Sequence, residues 1–190
     1  MLRAFIAIEI PTEIKQQINV QTAALRQKLG SSVRWVSAEN AHLTLKFLGD
    51  IPPIAIDSLT CMLKEKAEQT PPFDIAVVGL GAFPNLRQPR VIWVGLNAPA
   101  TLTKLQKTLD AAVTDPELPP EKQAFSPHLT IGHVRQPLSD AEKRAIPEAL
   151  QNTQIGCLGN FTVQSIGLFQ SELKPAGPIY TCLSTVQLGG

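Results

Sequence analysis

The chain has 190 residues, 44% of them hydrophobic and 17% charged, with a formal net charge of +1. This composition is typical of a globular protein with one domain or two small lobes, and the near-zero charge excludes attraction of long nucleic acids through bulk charge. A phosphate ligand or an RNA end needs only local donors and is compatible with it. Cys61, Cys157 and Cys182 form no CxxC pair, so we expect buried thiols in a reducing compartment rather than disulfides or a zinc site.

The N-terminal segment does not resemble a signal peptide, because Glu9 and Pro11 interrupt its apolar run. No window approaches the roughly 18 apolar residues that a membrane span requires. We therefore expect a cytoplasmic, monomeric protein without membrane contact.

Hydrophobic periodicity and turn residues predict a regular series of elements in the first half of the chain. Pro11 ends the first strand, Thr12 is the candidate cap of the first helix, and Gly30 closes that helix. The predicted elements are a strand over 2–10, a helix over 12–29, a short strand over 33–36, a strand over 42–48, a helix between Pro52-Pro53 and Pro71-Pro72, and a strand over 73–80.

The second half of the chain predicts the same order of elements. Ser139 and Glu142 have the spacing of a capping box, which places the start of a helix that runs to about residue 150. The other predicted elements are a strand over 91–96, a helix over 99–114, a proline-rich loop over 115–122, a strand over 126–134, a strand over 161–169 and a last strand over 179–186.

Each half therefore reads strand, helix, strand, helix, strand, and three pairs of similar segments recur in the same order. They are Arg3-Ala4-Phe5-Ile6 with Arg90-Val91-Ile92-Trp93 at an offset of 87, His42-Leu43-Thr44-Leu45 with His128-Leu129-Thr130-Ile131 at an offset of 86, and Phe73 and Gly79-Leu80 with Phe161 and Gly167-Leu168 at an offset of 88. We infer one domain over 1–190 with an internal repeat of about 1–89 and 90–190. A duplicated βαβαβ unit predicts an α+β fold of two pseudo-twofold-related lobes, with mainly antiparallel sheets flanking a central cleft.

The repeated HxT motifs place an imidazole and a hydroxyl on one face of each strand, because side chains alternate between the two faces of a sheet. Two histidines in one cleft can act as an acid–base pair for in-line displacement at phosphorus, one accepting a proton from water and one donating to the leaving oxygen. The hydroxyls of Thr44 and Thr130 can donate to non-bridging phosphate oxygens. The residues alone do not decide which histidine is the acid, and we expect no metal because carboxylates near the motifs are too few to hold Mg²⁺.

A single HxT motif is a weak signal, because a lone histidine on a strand is more often structural, and a zinc site is the rival functional interpretation of the pair. His133 lies five residues after His128, so a regular strand puts it on the opposite face, whereas a strand end or a bulge returns it to the cleft. Phe47 holds the equivalent place in the first half and lines either the cleft or the core. We expect Trp35 and Trp93 in the core.

These motifs resemble the 2H phosphoesterase superfamily and, within it, the bacterial and archaeal RNA 2′,3′-cyclic phosphodiesterases, historically called 2′-5′ RNA ligases. The resemblance covers nearly the whole chain and rests on Arg3-Ala4-Phe5-Ile6-Ala7-Ile8, Arg34-Trp35-Val36, His42 to Gly49, Gly79-Leu80-Gly81 with Phe83-Pro84, Ser126-Pro127-His128-Leu129-Thr130, and Gly177-Pro178 with Tyr180. It implies a V-shaped cleft, no cofactor, and hydrolysis of an RNA terminal 2′,3′-cyclic phosphate to a 2′-phosphomonoester. It also implies a reversible 2′-5′ joining of RNA ends in vitro.

The resemblance further implies that His42 is the proton donor to the leaving 3′ oxygen and His128 the proton acceptor from water. Thr44 and Thr130 are then the phosphate-binding hydroxyls, and Leu45 and Ile131 complete the two HxTx motifs. RNA ends or cyclic nucleotides are the expected substrates.

One position departs from the family pattern. Many members carry arginine five residues after the second histidine, and this chain has His133 there. Either a protonated His133 binds phosphate or another cation, such as Arg135, does so, whereas Arg87 and Arg90 read as solvated loop charges. If protonated His133 serves, we expect activity to fall more steeply above neutral pH than in arginine-bearing relatives. Two other functions stay open at this point: an RNA-end binding module with vestigial activity, and a hydrolase of another cyclic or 2′-5′ phosphodiester.

Overall fold

The computed structural model describes residues 1–113, 124–174 and 177–189, so the loop predicted over 115–122 lies outside the described residues. The strands and helices of the described part are β1 (Leu2–Glu9), α1 (Thr12–Leu29), β2 (Val33–Trp35), β3 (His42–Ile51), α2 (Ala55–Glu68), β4 (Phe73–Phe83), β5 (Val91–Asn97), α3 (Ala100–Ala112), β6 (His128–Val134), α4 (Asp140–Gln151), β7 (Cys157–Val163), β8 (Ser165–Lys174) and β9 (Gly177–Gln187). None of the helices described is long and apolar enough to cross a bilayer.

Two of the predicted helix starts can be compared with the structure. The capping box at α4 is confirmed, since the Ser139 hydroxyl accepts from the Glu142 N–H while the Glu142 carboxylate accepts from the Ser139 N–H. The prediction that Thr12 caps α1 is wrong: Thr12 is already helical, and Pro11 holds the cap position without a side-chain bond. Proline fits there because it has no N–H to leave unpaired.

The expected α+β fold with antiparallel sheets is confirmed. One sheet has the strand order β3-β1-β8-β9 and the other β2-β6-β5-β4-β7, with antiparallel pairing throughout. Each sheet draws strands from both halves of the chain, because β8 completes the sheet of β1 and β4 completes the sheet of β5. Helices α2 and α3 pack on the outside of the first sheet and α1 on the outside of the second. The HxT motifs lie on β3 of the first sheet and β6 of the second.

The single strand predicted over 161–169 is wrong. The chain forms two strands there, separated at Gln164: β7 pairs with β4 in the second sheet, and β8 pairs with β1 in the first. The β-prone composition of this run indicates extended backbone, but pairing partners in different sheets require the chain to change direction between them.

The strand register corrects the alignment of the two halves. Ala7 lies opposite Thr44 and Gly167, whereas Trp93 lies opposite Thr130 and Gly81. Equivalent residues are therefore 86 positions apart in all three strands. Residue similarity aligned the two outer pairs of segments at offsets of 87 and 88, which differ from the structural offset by one and two residues. The difference arises because backbone pairing, not residue identity, defines equivalent positions in a sheet.

The prediction of buried cysteine thiols is also wrong. Cys61, Cys157 and Cys182 are all free and exposed. Burial of a cysteine follows the face on which its backbone position falls, and the three cysteines fall on exposed faces of α2, β7 and β9.

Candidate active site

The two HxT strands, β3 and β6, contact each other and present the same alternation of side chains. The apolar members Leu43, Leu45, Leu129 and Ile131 are at most 3% exposed and lie in the core. The histidines and threonines of both motifs are partly exposed on the other face. The predicted division of each motif into a core face and a polar face is confirmed.

A β-bulge follows each motif and decides where the next side chains point. In β3 the register skips Leu45, since Thr44 pairs with Ala7 and Lys46 with Ile6. In β6 it skips Ile131 in the same way. One extra residue reverses the alternation, so the side chains five positions after each histidine return to the HxT face.

The residues that the bulges bring back are Phe47 and His133. Phe47 lies opposite Phe5 and is 57% exposed on the cleft side, while His133 lies opposite Val91 on the same face as Thr130. The bulge alternative for His133 is therefore the correct one.

Each bulge leaves a carbonyl outside the regular ladder, and a specific donor binds it. The Leu45 carbonyl accepts from Gln106 Nε2 of α3 at 3.5 Å, and the Gln106 side chain is buried. The Ile131 carbonyl accepts from the Val36 N–H at 2.9 Å. Next to the first bulge, buried Lys46 forms an ion pair with Asp110 of the same helix. These contacts hold the bulges, and with them the threonines, in place.

Both histidines are oriented by the backbone carbonyl two residues earlier in the chain. His42 Nδ1 lies 2.8 Å from the Asn40 carbonyl, and His128 Nδ1 lies 2.7 Å from the Ser126 carbonyl. A carbonyl oxygen only accepts, so Nδ1 carries the proton in each ring. Nε2 is therefore the atom that each imidazole offers for proton transfer.

The surroundings of the two rings differ. His42 lies between Phe5, at 4.7 Å between ring centroids, and Tyr180, at 4.9 Å. Burial lowers the pKa of His42; the Asn40 hydrogen bond opposes this, and the charges of Lys15 and His128 lower the pKa further. His128 is therefore within electrostatic reach of His42, as expected of histidines on the contacting strands β3 and β6.

On the other side of the cleft, His128 packs edge-on against Phe83 at 4.8 Å and lies 6.3 Å from Trp93. Trp93 occupies the position equivalent to Ala7 and faces the cleft, so the expectation that it lies in the core is wrong. Its ring covers Gly81, where any β-carbon would collide with it. The other tryptophan, Trp35, packs on the core side against Gly132, as expected.

The His42 side of the cleft carries a cavity of about 210 Å³. Its walls are aromatic and its rim is polar; the lining includes Phe5, Phe169, Tyr180, His42, Lys15 and Glu39. Asn40 joins two parts of this wall, since its carbonyl holds His42 and its side chain donates to the Pro178 carbonyl at the start of β9, at 2.9 Å.

Sequence reasoning assigned no role to Asn40 or Tyr180. The only feature of the sequence that sets Tyr180 apart is that it is the single tyrosine of the chain. A carbonyl contact two residues before a histidine has no sequence signal, because every residue type has a carbonyl. As for metals, the described residues bring together no group of three His, Cys, Asp or Glu side chains that would hold an ion.

The predicted phosphate contacts differ in their surroundings. Burial lowers the pKa of His133, and the charge of Arg34 lowers it further. Both effects disfavour the protonated form of His133 that would bind phosphate through its charge. Arg135 follows the end of β6, Arg90 precedes the start of β5, and both are exposed.

Comparison with known proteins identifies the family of the chain. A sequence profile of the 2′-5′ RNA ligase superfamily matches residues 10–174. Two relatives named RNA 2′,3′-cyclic phosphodiesterase, from Methanothermobacter thermautotrophicus and Thermotoga maritima, are each 33% identical; they cover 98% and 100% of this chain and 99% and 97% of their own.

Solved structures resemble the whole chain as well. The crystal structure of TT0787 of Thermus thermophilus has a TM-score of 0.80 at 28% identity and covers 100% of this chain and 99% of that chain. Escherichia coli LigT complexed with 3′-AMP has a TM-score of 0.74 at 25% identity, with coverage of 100% and 99%. With a profile match over most of its length and full-length relatives of this identity, the chain belongs to the 2′-5′ RNA ligase superfamily.

Proposed function

We propose that the protein hydrolyses the 2′,3′-cyclic phosphate at the end of an RNA to a 2′-phosphomonoester, using His42 and His128 as acid and base. The observation that carries this proposal is the matched orientation of the two imidazoles, each bound through Nδ1 to a carbonyl and each offering Nε2 to the same cleft. Full-length relatives named RNA 2′,3′-cyclic phosphodiesterase support this substrate class.

The proposed reaction is an in-line displacement at phosphorus. His128 Nε2 takes a proton from water as the water oxygen bonds to phosphorus, and the bond from phosphorus to the 3′ oxygen breaks. His42 Nε2 gives its proton to that oxygen, which leaves a 3′-hydroxyl and a 2′-phosphate. Each positioned proton transfer contributes about 10²–10⁴ in rate.

The cavity beside His42 supports this assignment of roles. The leaving 3′ oxygen stays attached to the terminal ribose, so the acid must stand next to the nucleoside. A space of about 210 Å³ with aromatic walls lies beside His42, whereas Phe83 packs against His128 on the other side, with Trp93 6.3 Å away. Thr44 and Thr130 would donate to the non-bridging oxygens, where negative charge gathers in the transition state.

The same geometry accepts a 5′-hydroxyl in place of water. His128 would then remove the proton of that hydroxyl, and the product would be a 2′-5′ linkage instead of a free 2′-phosphate. We propose this joining as the lesser reaction, since water is present at far higher concentration.

The proposal is tested by incubating the protein with 2′,3′-cyclic AMP in the presence of EDTA and identifying the product by chromatography. We expect 2′-AMP, and loss of its formation in His42→Ala and in His128→Ala. Exposed Lys107→Ala on α3 is the control and should keep full activity. Tight binding of cyclic-ended RNA without any turnover would point instead to an RNA-end binding module, and turnover of 2′-5′ oligonucleotides alone would point to another phosphodiester substrate.

A further inference from the structure

A single arginine faces the cleft beside His133, at a position that the two-histidine motifs do not include. Strand β2 pairs with β6 so that Arg34 lies opposite His133. Its neighbours Val33 and Trp35 pack into the core side, and alternation therefore directs Arg34 to the HxT face. The bulge in β6 is what makes this the same face as Thr130.

The guanidinium of Arg34 is free to bind a ligand. It has no hydrogen-bond or ion-pair partner among residues 1–113, 124–174 and 177–189. The nearby Arg26 is the opposite case, since it binds Thr22 and the Val36 carbonyl and stacks on Trp35 at 4.9 Å. Lys46 is likewise occupied by Asp110 on the core side.

The charge of Arg34 acts on both walls of the cleft. It lowers the pKa of His133 in the second sheet, after the larger effect of burial. Burial raises the pKa of Tyr180 in the first sheet, and the charges of Arg3 and Arg34 oppose that rise. Arg34 therefore lies within electrostatic reach of Tyr180, which is in edge contact with His42, as well as opposite His133.

We propose that Arg34 supplies the positive charge that holds the substrate phosphate. This inference rests on the proposed function and adds a cationic side chain to the two threonine hydroxyls that bind the phosphate. A guanidinium suits the task because it stays charged and presents two parallel N–H groups to two phosphate oxygens. The imidazole of His133 then adds a hydrogen-bond donor next to it.

The test measures binding of 2′-AMP by calorimetry together with the KM for 2′,3′-cyclic AMP. We expect Arg34→Ala to weaken 2′-AMP binding and raise KM by about 10- to 100-fold, the usual loss of a charged hydrogen bond. Arg144→Ala, at an exposed position of α4, is the matched control and should change neither value. Arg135→Ala tests the rival cation after β6 and should leave both values unchanged if Arg34 is the phosphate ligand. Thermal melting checks folding, and if Arg34→Ala unfolds, Arg34→Gln is measured in its place with the same expected loss.

A second-site rescue makes the test specific. Arg34→Ala combined with His133→Arg restores the guanidinium from the neighbouring strand, so we expect most of the binding to return. Unchanged binding in the Arg34 variants, or an equal loss in Arg135→Ala, overturns the inference even if hydrolysis proceeds. Arg34-dependent binding of 2′-AMP without turnover of the cyclic substrate would instead overturn the proposed hydrolysis and leave the role of Arg34 intact.

Discussion

At the scale of single residues, two identical motifs acquire different chemistry from their neighbours. Both imidazoles are fixed by the same carbonyl contact, but only His42 is enclosed by the rings of Phe5 and Tyr180. Burial disfavours its protonated form, and a protonated His42 is what the proposed mechanism requires. The free enzyme should therefore lose its acid as pH rises through a pKa below the ordinary value of 6.5.

Removing the tyrosine ring tests this dependence. Tyr180→Ala exposes His42 to water, which lets its pKa rise toward 6.5, so the decline of kcat/KM with increasing pH should move to higher pH. Tyr180→Phe keeps the ring and the burial and is the matched control, with an unchanged profile. A decline at the same pH in the alanine and phenylalanine variants would contradict the assignment of His42 as the acid.

At the scale of elements, the bulges in β3 and β6 are the features that the site depends on. A bulge interrupts the ladder and aims the following side chains at the cleft, and the freed carbonyl must then find another donor. In β3 that donor comes from a helix behind the sheet. Helix α3 therefore acts on the site without touching the cleft, through Gln106 and Asp110.

Gln106→Leu replaces the buried amide with an apolar group of similar size and leaves the Leu45 carbonyl without its donor. We expect a loss of about 1–3 kcal/mol in the free energy of unfolding, measured by urea denaturation. We also expect a lower kcat on 2′,3′-cyclic AMP, because Thr44 directly precedes Leu45, whose carbonyl loses its donor. Lys107→Ala on the same helix should alter neither quantity, and full stability of Gln106→Leu would mean that the 3.5 Å contact is not a working hydrogen bond.

At the scale of the whole molecule, the two halves of the sequence are not the two halves of the structure. Strand β1 needs β8 from the second half as its neighbour, and β5 needs β4 from the first. Each sheet is therefore completed by the other half. This exchange brings β3 and β6 together and forms the cleft between the sheets.

Separate expression of residues 1–89 and 90–190 tests the single-domain organisation. Each fragment leaves open strand edges and an incomplete core, so we expect neither to give a cooperative thermal transition by circular dichroism. The full chain should melt in one transition. Independent folding of either fragment would contradict a single domain and favour two autonomous repeats.

The α+β class, nearly all of the helices and strands, the two HxT motifs and the family follow from the amino-acid sequence alone, because periodicity, turn residues and motif identity are local properties. Chain order could not predict the division of 161–169 between two sheets, the register that equates Ala7 with Trp93, or the bulges that turn Phe47 and His133 inward. Pairing between distant strands decides these features, and the free energy of such pairing depends on partners that no local pattern names. Arg34 is the plainest case: its place beside His133 follows from one strand pair across the second sheet, between residues far apart in the chain.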